Sequence, residues 1–268
     1  MTASPKSRWL LVAYRWVTPF FDPLKAMYAF RGLPRFFSDW RKYSRLRNAE
    51  PLRFGDSYPQ LHDHTRATPF DPHYFYGSAW AMRRIAASHP DRHIDVASHN
   101  LFAGLLSAVV PVIFLDYRPL RAQLEGLTCV GGSLLELPFA DNSVSSLSCL
   151  HVAEHIGLGR YGDPLDPEGT KKAARELARV LANNGNLYFV LPVGKSRLCF
   201  NAHRVHATEQ IRDYFYDLHL EEFCGVHDDG RFVEKVALTE FDGSDYACGM
   251  FWFRKADSRD ERAGRGTL

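Results

Sequence analysis

The sequence predicts a mixed α/β fold, a mostly parallel sheet flanked by helices, preceded by a basic N-terminal extension. Three observations carry that expectation. Between His93 and Arg254, short apolar runs alternate with longer amphipathic ones, the pattern of parallel strands joined by crossover helices. The chain has 268 residues, 46% of them hydrophobic and 13% aromatic, enough for one large domain with a full core plus an appendage. Charge is also unevenly shared: residues 1–55 hold eleven Lys or Arg against Asp22, Asp39 and Glu50, a balance of +8 in a chain whose net charge is +2.

The elements follow in order. In the first 55 residues arginine is interleaved with Trp9, Leu10, Leu11, Tyr14, Trp16, Phe20, Phe21, Phe30, Phe36, Phe37 and Trp40, and prolines at 19, 23 and 34 restrict the segment to short helices. Two readings of it stay open. The aromatics pack on the main domain with the arginines solvated, or the segment makes a peripheral contact with an anionic membrane surface. No nucleic-acid-binding motif accompanies the charge, so nucleic acid is not an expected partner. A turn-rich stretch from Gly55 to Asp63 gives way to a helix over His73–His89. Strands are expected at His93–Ala97, Pro111–Leu115, Leu127–Gly131, Val144–Leu150 and Asn186–Leu191, with helices at Leu101–Val109, Pro119–Glu125 and Glu168–Leu181 between them. The last of these is capped by Asp166-Pro167, shares an apolar face of Ala173, Leu177, Val180 and Leu181, and is stopped by Gly185. A helix over Thr208–Tyr216 precedes strands at Glu221–Val226 and Tyr246–Arg254. The division expected is an extension over 1–57, a main domain over 58–256 and a flexible charged tail over 257–268.

Five well-separated cysteines, Cys129, Cys149, Cys199, Cys224 and Cys248, contain no C-x-x-C pair, which argues against a disulfide framework and a thiolate zinc site. With no run of eighteen apolar residues and no secretory cleavage pattern, a cytoplasmic location fits, at most peripheral on the inner face of a membrane. His62 and His64 flank Asp63 in a flexible stretch with no third ligand near, and no metal is expected.

From Ser133 to Pro192 the chain reads Leu137-Pro138-Phe139, Asp141-Asn142-Ser143, Glu154-His155, then Glu176 with Arg179-Val180-Leu181, then a strand closing in Pro192. That order resembles the second half of the class I S-adenosylmethionine-dependent methyltransferases. The resemblance implies a Rossmann-like class I methyltransferase fold with S-adenosyl-L-methionine as cofactor. The run from Glu154 to Pro167, EHIGLGRYGDPLDP, together with Phe200–Arg204 and Phe70–Tyr76, is similar to an uncharacterised, largely bacterial family considered methyltransferase-like and met in the context of surface-polysaccharide synthesis.

In an open parallel sheet a ligand sits beyond the carboxyl ends of the strands, where strand order reverses. Asp95 ends the first strand and Asp116 ends the next, 21 positions later, a spacing that suits recognition of ribose hydroxyls by Asp116. The turn between them departs from the family. Where the family carries D-x-G-x-G-x-G, this chain has Asp95-Val96-Ala97-Ser98-His99-Asn100-Leu101, so all three glycines are replaced. Either the turn takes another shape with His99 set aside, or the site is closed. Ser133 and Leu134 stand where the family approaches adenine, and His151 at the end of the fourth strand completes the implied cofactor set of Asp95, Ala97, His99, Asp116, Ser133, Leu134 and His151. The loops after the fourth and fifth strands offer His155, Asp163 and His203 as bases, and Arg160, Tyr161, Asn201 and Arg204 as substrate contacts. The expected function is methyl transfer to a small polar acceptor such as a sugar. The alternative is an inactive relative that serves as a binding or scaffold module at a membrane-associated assembly.

Overall fold

The computed structural model describes residues 5–257, so the tail expected over 257–268 lies outside the described residues except for Asp257. The described residues fall into two compact units, one ending at Pro69 and one beginning at Phe70.

The first unit carries two helices, α1 (Pro5–Val17) and α2 (Pro23–Tyr43). The short helices expected from the prolines are replaced by one of 13 residues and one of 21. Pro23 starts α2, because the first helical residue needs no N–H donor, and Asp22 caps the start by accepting from the N–H groups of Leu24 and Lys25 at 3.0 and 3.1 Å. Pro34 removes one hydrogen bond inside α2 without ending it. No side chain of α2 is buried.

The second unit begins with α3 (Pro72–Ser88), capped by Asp71, and continues through β1 (His93–Val96), α4 (Asn100–Leu106), β2 (Val112–Asp116), β3 (Leu127–Gly131), β4 (Val144–Leu150), α5 (Gly169–Val180) and β5 (Leu181–Val193). A small hairpin of β6 (Arg197–Cys199) and β7 (His203–Val205) follows, then α6 (Thr208–Tyr214), β8 (His219–Val226), β9 (Phe232–Val233) and β10 (Ala247–Arg254). Eight strands form one sheet in the order β3-β2-β1-β4-β5-β10-β8-β9. The first five are mutually parallel, and β10 runs antiparallel between β5 and β8. This is the Rossmann-like sheet of the class I methyltransferase fold.

Alternation along β5 explains the layering. Leu187, Phe189 and Leu191 face the layer that holds Ala173, Ala174 and Leu177 of α5, whereas Tyr188 and Val190 face the layer of Trp80, Ala81 and Ile85 of α3. Both faces of the central strand are therefore covered, and its sequence reads as one apolar run. Glu222 of β8 ties α3 to the sheet: Trp80 Nε1 donates to its Oε1 at 2.9 Å, and the Arg84 guanidinium donates from Nε to Oε1 and from Nη2 to Oε2, each at 3.0 Å.

Two expected elements change. No helix forms over Pro119–Glu125, because residues 121–126 are exposed throughout and offer no apolar face for a helix to bury; the segment closes in a turn at Gly126, with φ +76°, against the Ser107 carbonyl. The strand expected at Asn186–Leu191 begins at Leu181, directly off α5. Its register against β4 shifts between Val144 and Ser146, and Gly185, read from sequence as a helix stop, lies at this irregularity, where an added Cβ would stand 2.7 Å from the Ala182 carbonyl.

Candidate active site

Strand order reverses between β1 and β4, and a cleft partly open to solvent lies beyond their carboxyl ends. Ala97, Asp116, Ser133, Leu134, His151, His155, Tyr161 and Asp163 all line it, as do Tyr117, Arg118, Gly132 and Leu135.

The glycine-free turn takes another shape. Ala97 adopts φ +53°, the left-handed conformation that a glycine would otherwise supply, and its single methyl is tolerated there. Ser98 folds back to donate from its hydroxyl and its N–H to Asp95, at 2.7 and 3.2 Å, and the Ser148 hydroxyl donates to the same carboxylate. Asp95 is fully buried and does not line the cleft; it braces the turn from beneath, and burial raises its pKa to about 6 against the pull of the serine hydrogen bonds. His99 is likewise set aside. It caps α4, with Nδ1 accepting from the Leu101 N–H at 3.3 Å, and so leaves the cleft floor to Ala97.

At the end of β2, Asp116 Oδ1 accepts the Arg118 N–H at 2.8 Å, a side-chain turn that holds the carboxylate at the cleft. Gly131 and Gly132 let the chain pass close: an added Cβ would stand 2.8 Å from Pro119 Cγ at the first and 3.0 Å from Leu115 Cδ1 at the second. Leu134 is buried in the wall.

The loop after β4 covers the cleft, and its residues divide into those that hold the loop and those that face the ligand. Asp163, expected as a base, accepts the N–H groups of Gly157 at 2.6 Å and Tyr161 at 3.2 Å. Burial pushes its pKa up, but these N–H groups hold it below the usual carboxylate range, which suits a loop organiser and not a proton acceptor. Arg204, expected to meet substrate, donates to the carbonyls of Ile156 at 2.5 Å and Asp166 at 2.9 Å and thereby staples the loop to β7. Asn201 lies exposed in the β6–β7 turn and is not brought to the cleft. Arg160 donates to the Ala202 carbonyl at 3.0 Å. Its guanidinium and that of Arg118 both stack on the Tyr161 ring, 5.1 and 4.4 Å from the centroid.

Beside the cleft stands a chamber rich in imidazoles. β10 is antiparallel, so its first residues lie beside the last residues of β5, and the start of α3 comes to the same end of the sheet. His151 of the β4 exit, at φ +57°, approaches buried Glu154 with Nδ1 3.4 Å from Oε1, and Cys248 with Nε2 3.7 Å from Sγ. Burial pushes the His151 pKa down, but the Cys248 sulfur and the Glu154 carboxylate raise it on balance. His155 Nδ1 lies 2.6 Å from the Ala202 carbonyl, which can only accept, and 3.2 Å from Arg160 Nη1; the shorter contact favours a proton on Nδ1 and leaves Nε2 as the basic atom, and burial lowers the pKa despite Glu154. The second Glu154 oxygen is buried and has no hydrogen-bond partner among the described residues. Tyr246 joins the chamber through ring contacts with His73 at 5.2 Å and His203 at 5.0 Å, and Tyr74 lies 4.7 Å from the His151 ring. Sequence reading did not single out Arg118, His73, Tyr74, Glu154, Tyr246 or Cys248 as site residues. Phe70–Tyr76 and Glu154-His155 were visible as motifs, whereas nothing in the sequence marks Tyr246 or Cys248.

The fold is that of class I methyltransferases, and comparison with solved structures finds the same fold. A Galdieria sulphuraria protein named for sarcosine dimethylglycine methylation superposes with a TM-score of 0.50 at 16% identity, over 68% of this chain and 86% of that one. The N-methyltransferase NodS of Bradyrhizobium japonicum, solved with S-adenosyl-L-homocysteine, gives 0.49 at 14% identity over 70% and 89%. The YcgJ protein of Bacillus subtilis gives 0.46 at 14% identity over 67% and 100%. A family model described as Caenorhabditis protein of unknown function, DUF268, matches residues 140–225, the stretch that contains the covering loop and the β6–β7 hairpin. No curated protein matches the chain.

Proposed function

We propose that this chain is an S-adenosyl-L-methionine-dependent methyltransferase acting on a small polar acceptor. The observation that carries the reading is the reshaped turn: Ala97 at φ +53° reproduces a glycine conformation, His99 is drawn away as a helix cap, and the cleft stays lined by Asp116, Ser133 and Leu134. These residues fit a nucleoside. Asp116 is the acceptor for ribose hydroxyls, Leu134 and Leu135 give an apolar wall for a purine, and Ser133 supplies one polar atom beside it. Bound there, the cofactor supplies an electrophilic methyl group on its sulfonium sulfur.

The chain's own part is to orient the acceptor, exclude water and take up a proton. His155 Nε2, basic in the assigned tautomer, is the atom for that proton. The Tyr161 ring with its two guanidiniums covers the mouth. The aromatic faces of Tyr74 and Tyr246 suit the C–H face of a sugar, and a sugar hydroxyl or carboxyl is the acceptor class we assign. Calorimetric titration with S-adenosylhomocysteine tests the reading. Saturable one-to-one binding is expected, and no heat and no thermal shift at millimolar ligand would leave the scaffold reading in its place.

For the first unit we propose a peripheral contact with the anionic, cytoplasmic face of a membrane. Among the described residues no helix is long and apolar enough to cross one. The supporting observation is exposure: Trp9, Trp16 and Phe20 are 75%, 76% and 91% exposed on a segment of net positive charge. The full chain should sediment with anionic vesicles at low salt and be released as salt rises. Equal sedimentation by the Arg31→Glu/Arg35→Glu/Arg41→Glu variant would refute this contact.

A further inference from the structure

His73, His151 and Cys248 come from three separate elements, the first turn of α3, the exit of β4 and the second residue of β10, yet their donor atoms lie within 4.8 Å of one another. The convergence has a local cause. His73 and Gly77 share one face of α3, and Gly77 brings the helix so near the sheet that an added Cβ would stand 3.3 Å from Val190 Cγ1 and 3.9 Å from His151 Nε2. That approach sets the His73 ring against the His151 ring, at 6.0 Å and nearly parallel.

We propose that these three residues bind a divalent transition-metal ion, zinc in preference to magnesium or calcium. The donor set is two imidazole nitrogens and a thiolate, which suits a borderline-soft ion and not a hard one. One ligand pair already has the spacing of a formed site. Zinc–nitrogen and zinc–sulfur bonds of about 2.0–2.1 and about 2.3 Å at a tetrahedral angle put N and S about 3.6 Å apart, and His151 Nε2 and Cys248 Sγ are 3.7 Å apart. The outer partner is also in place. His151 turns its other nitrogen, Nδ1, to the buried Glu154 carboxylate, the carboxylate–histidine relay that orients metal-ligating imidazoles. The His73 imidazole is half-buried and makes no side-chain hydrogen bond among the described residues, so an ion would supply the partner it lacks.

Three protein ligands leave a tetrahedral ion one open position, the arrangement of a catalytic zinc. That position is for the oxygen, nitrogen or sulfur of an acceptor. This last role rests on the methyltransferase reading; the binding of the ion does not.

Cobalt(II) added to the metal-free full chain is the probe. We expect one ion per chain, a thiolate-to-cobalt charge-transfer band, and displacement of the band by zinc. Cys248→Ser should abolish the band, His73→Ala should weaken cobalt binding at least tenfold, and Glu154→Gln should weaken it about 10- to 100-fold. The His62→Ala/His64→Ala variant should behave as the parent chain. Circular dichroism of each variant confirms that it is folded, and His73, half-buried at the helix start, keeps the test available if Cys248→Ser does not fold. Absence of stoichiometric binding, a band that survives in Cys248→Ser, undiminished affinity in His73→Ala, or binding lost in His62→Ala/His64→Ala overturns the site. Titration of the same metal-free chain with S-adenosylhomocysteine reads the cofactor cleft independently, so failure of one reading is told apart from failure of the other.

Discussion

Replacing Asp116 by alanine tests the cofactor cleft at its most exposed anchor. The carboxylate lines the cleft and spends Oδ1 on the Arg118 N–H at 2.8 Å. Hydrogen bonds to a charged acceptor contribute about 1.5–3 kcal/mol each when well buried. Asp116 is only partly buried, so solvent competes for it and the total lost with two ribose hydroxyls should be roughly 1–3 kcal/mol, a weakening of about 5- to 150-fold in S-adenosylhomocysteine affinity. Asp116→Asn retains an oxygen for the turn to Arg118 and should lose less, which separates recognition of the ribose from collapse of the loop. Isothermal calorimetry on the parent and both variants gives the comparison. An alanine variant that binds within twofold of the parent would refute the assignment of Asp116 to the ribose, and with it the location of the nucleoside in this cleft.

His99→Ala should leave the same affinity unchanged within twofold, since the imidazole caps α4 and does not line the cleft, and should lower stability by no more than about 1 kcal/mol in urea unfolding. Asp95 gives a pH signature. Its folded pKa, about 6, lies above the ordinary 3.8, so its contribution to stability is fully present below 3.8 and is lost as pH rises through 6. Unfolding free energies measured from pH 4 to 7 should show that slope in the parent and lack it in Asp95→Asn; equal slopes would show that the carboxylate is not desolvated. Glu222→Ala leaves the Trp80 N–H without its acceptor and the part-exposed Arg84 with only Glu234, at 3.8 Å, and should cost about 1–3 kcal/mol, read as a lowered Tm. A change of less than 1 kcal/mol would mean that water replaces the carboxylate there.

Strands β1 to β5, β8 and β10 were legible as apolar runs between turn signals, whereas the two- and three-residue strands β6, β7 and β9 are too short to show a period. Where the expectation failed, burial was missing: the residues at 121–126 have helical propensity and no face to bury, and propensity alone does not hold a short helix. The prolines of the first unit misled because position within a helix, and not presence, decides what a proline does. In the cleft, Asp116 was expected from its spacing after Asp95, and Ser133 and Leu134 from the family resemblance; all three line it. The roles of Asp95, Asp163 and Arg204 were not legible, because a carboxylate that accepts backbone N–H groups and one that awaits a substrate look alike in sequence. Tyr246 and Cys248 could not be found at all, since only the pairing of β10 with β5 carries them to the site.

That pairing also sets an order of events in the making of the protein. Val193 meets Ala247 across the sheet, so residues 194–246 must be synthesised before the second edge of β5 is covered. Strands β1 to β5, and with them the cleft that holds Asp116, can be laid down in sequence as the chain emerges, each against a predecessor already made. The contacts of β10 are of high sequence separation and slow to close. Until they do, Tyr246 and Cys248 are absent from the end of the sheet, and a nascent chain that has already formed the cleft beside Asp116 still lacks its imidazole-lined neighbour.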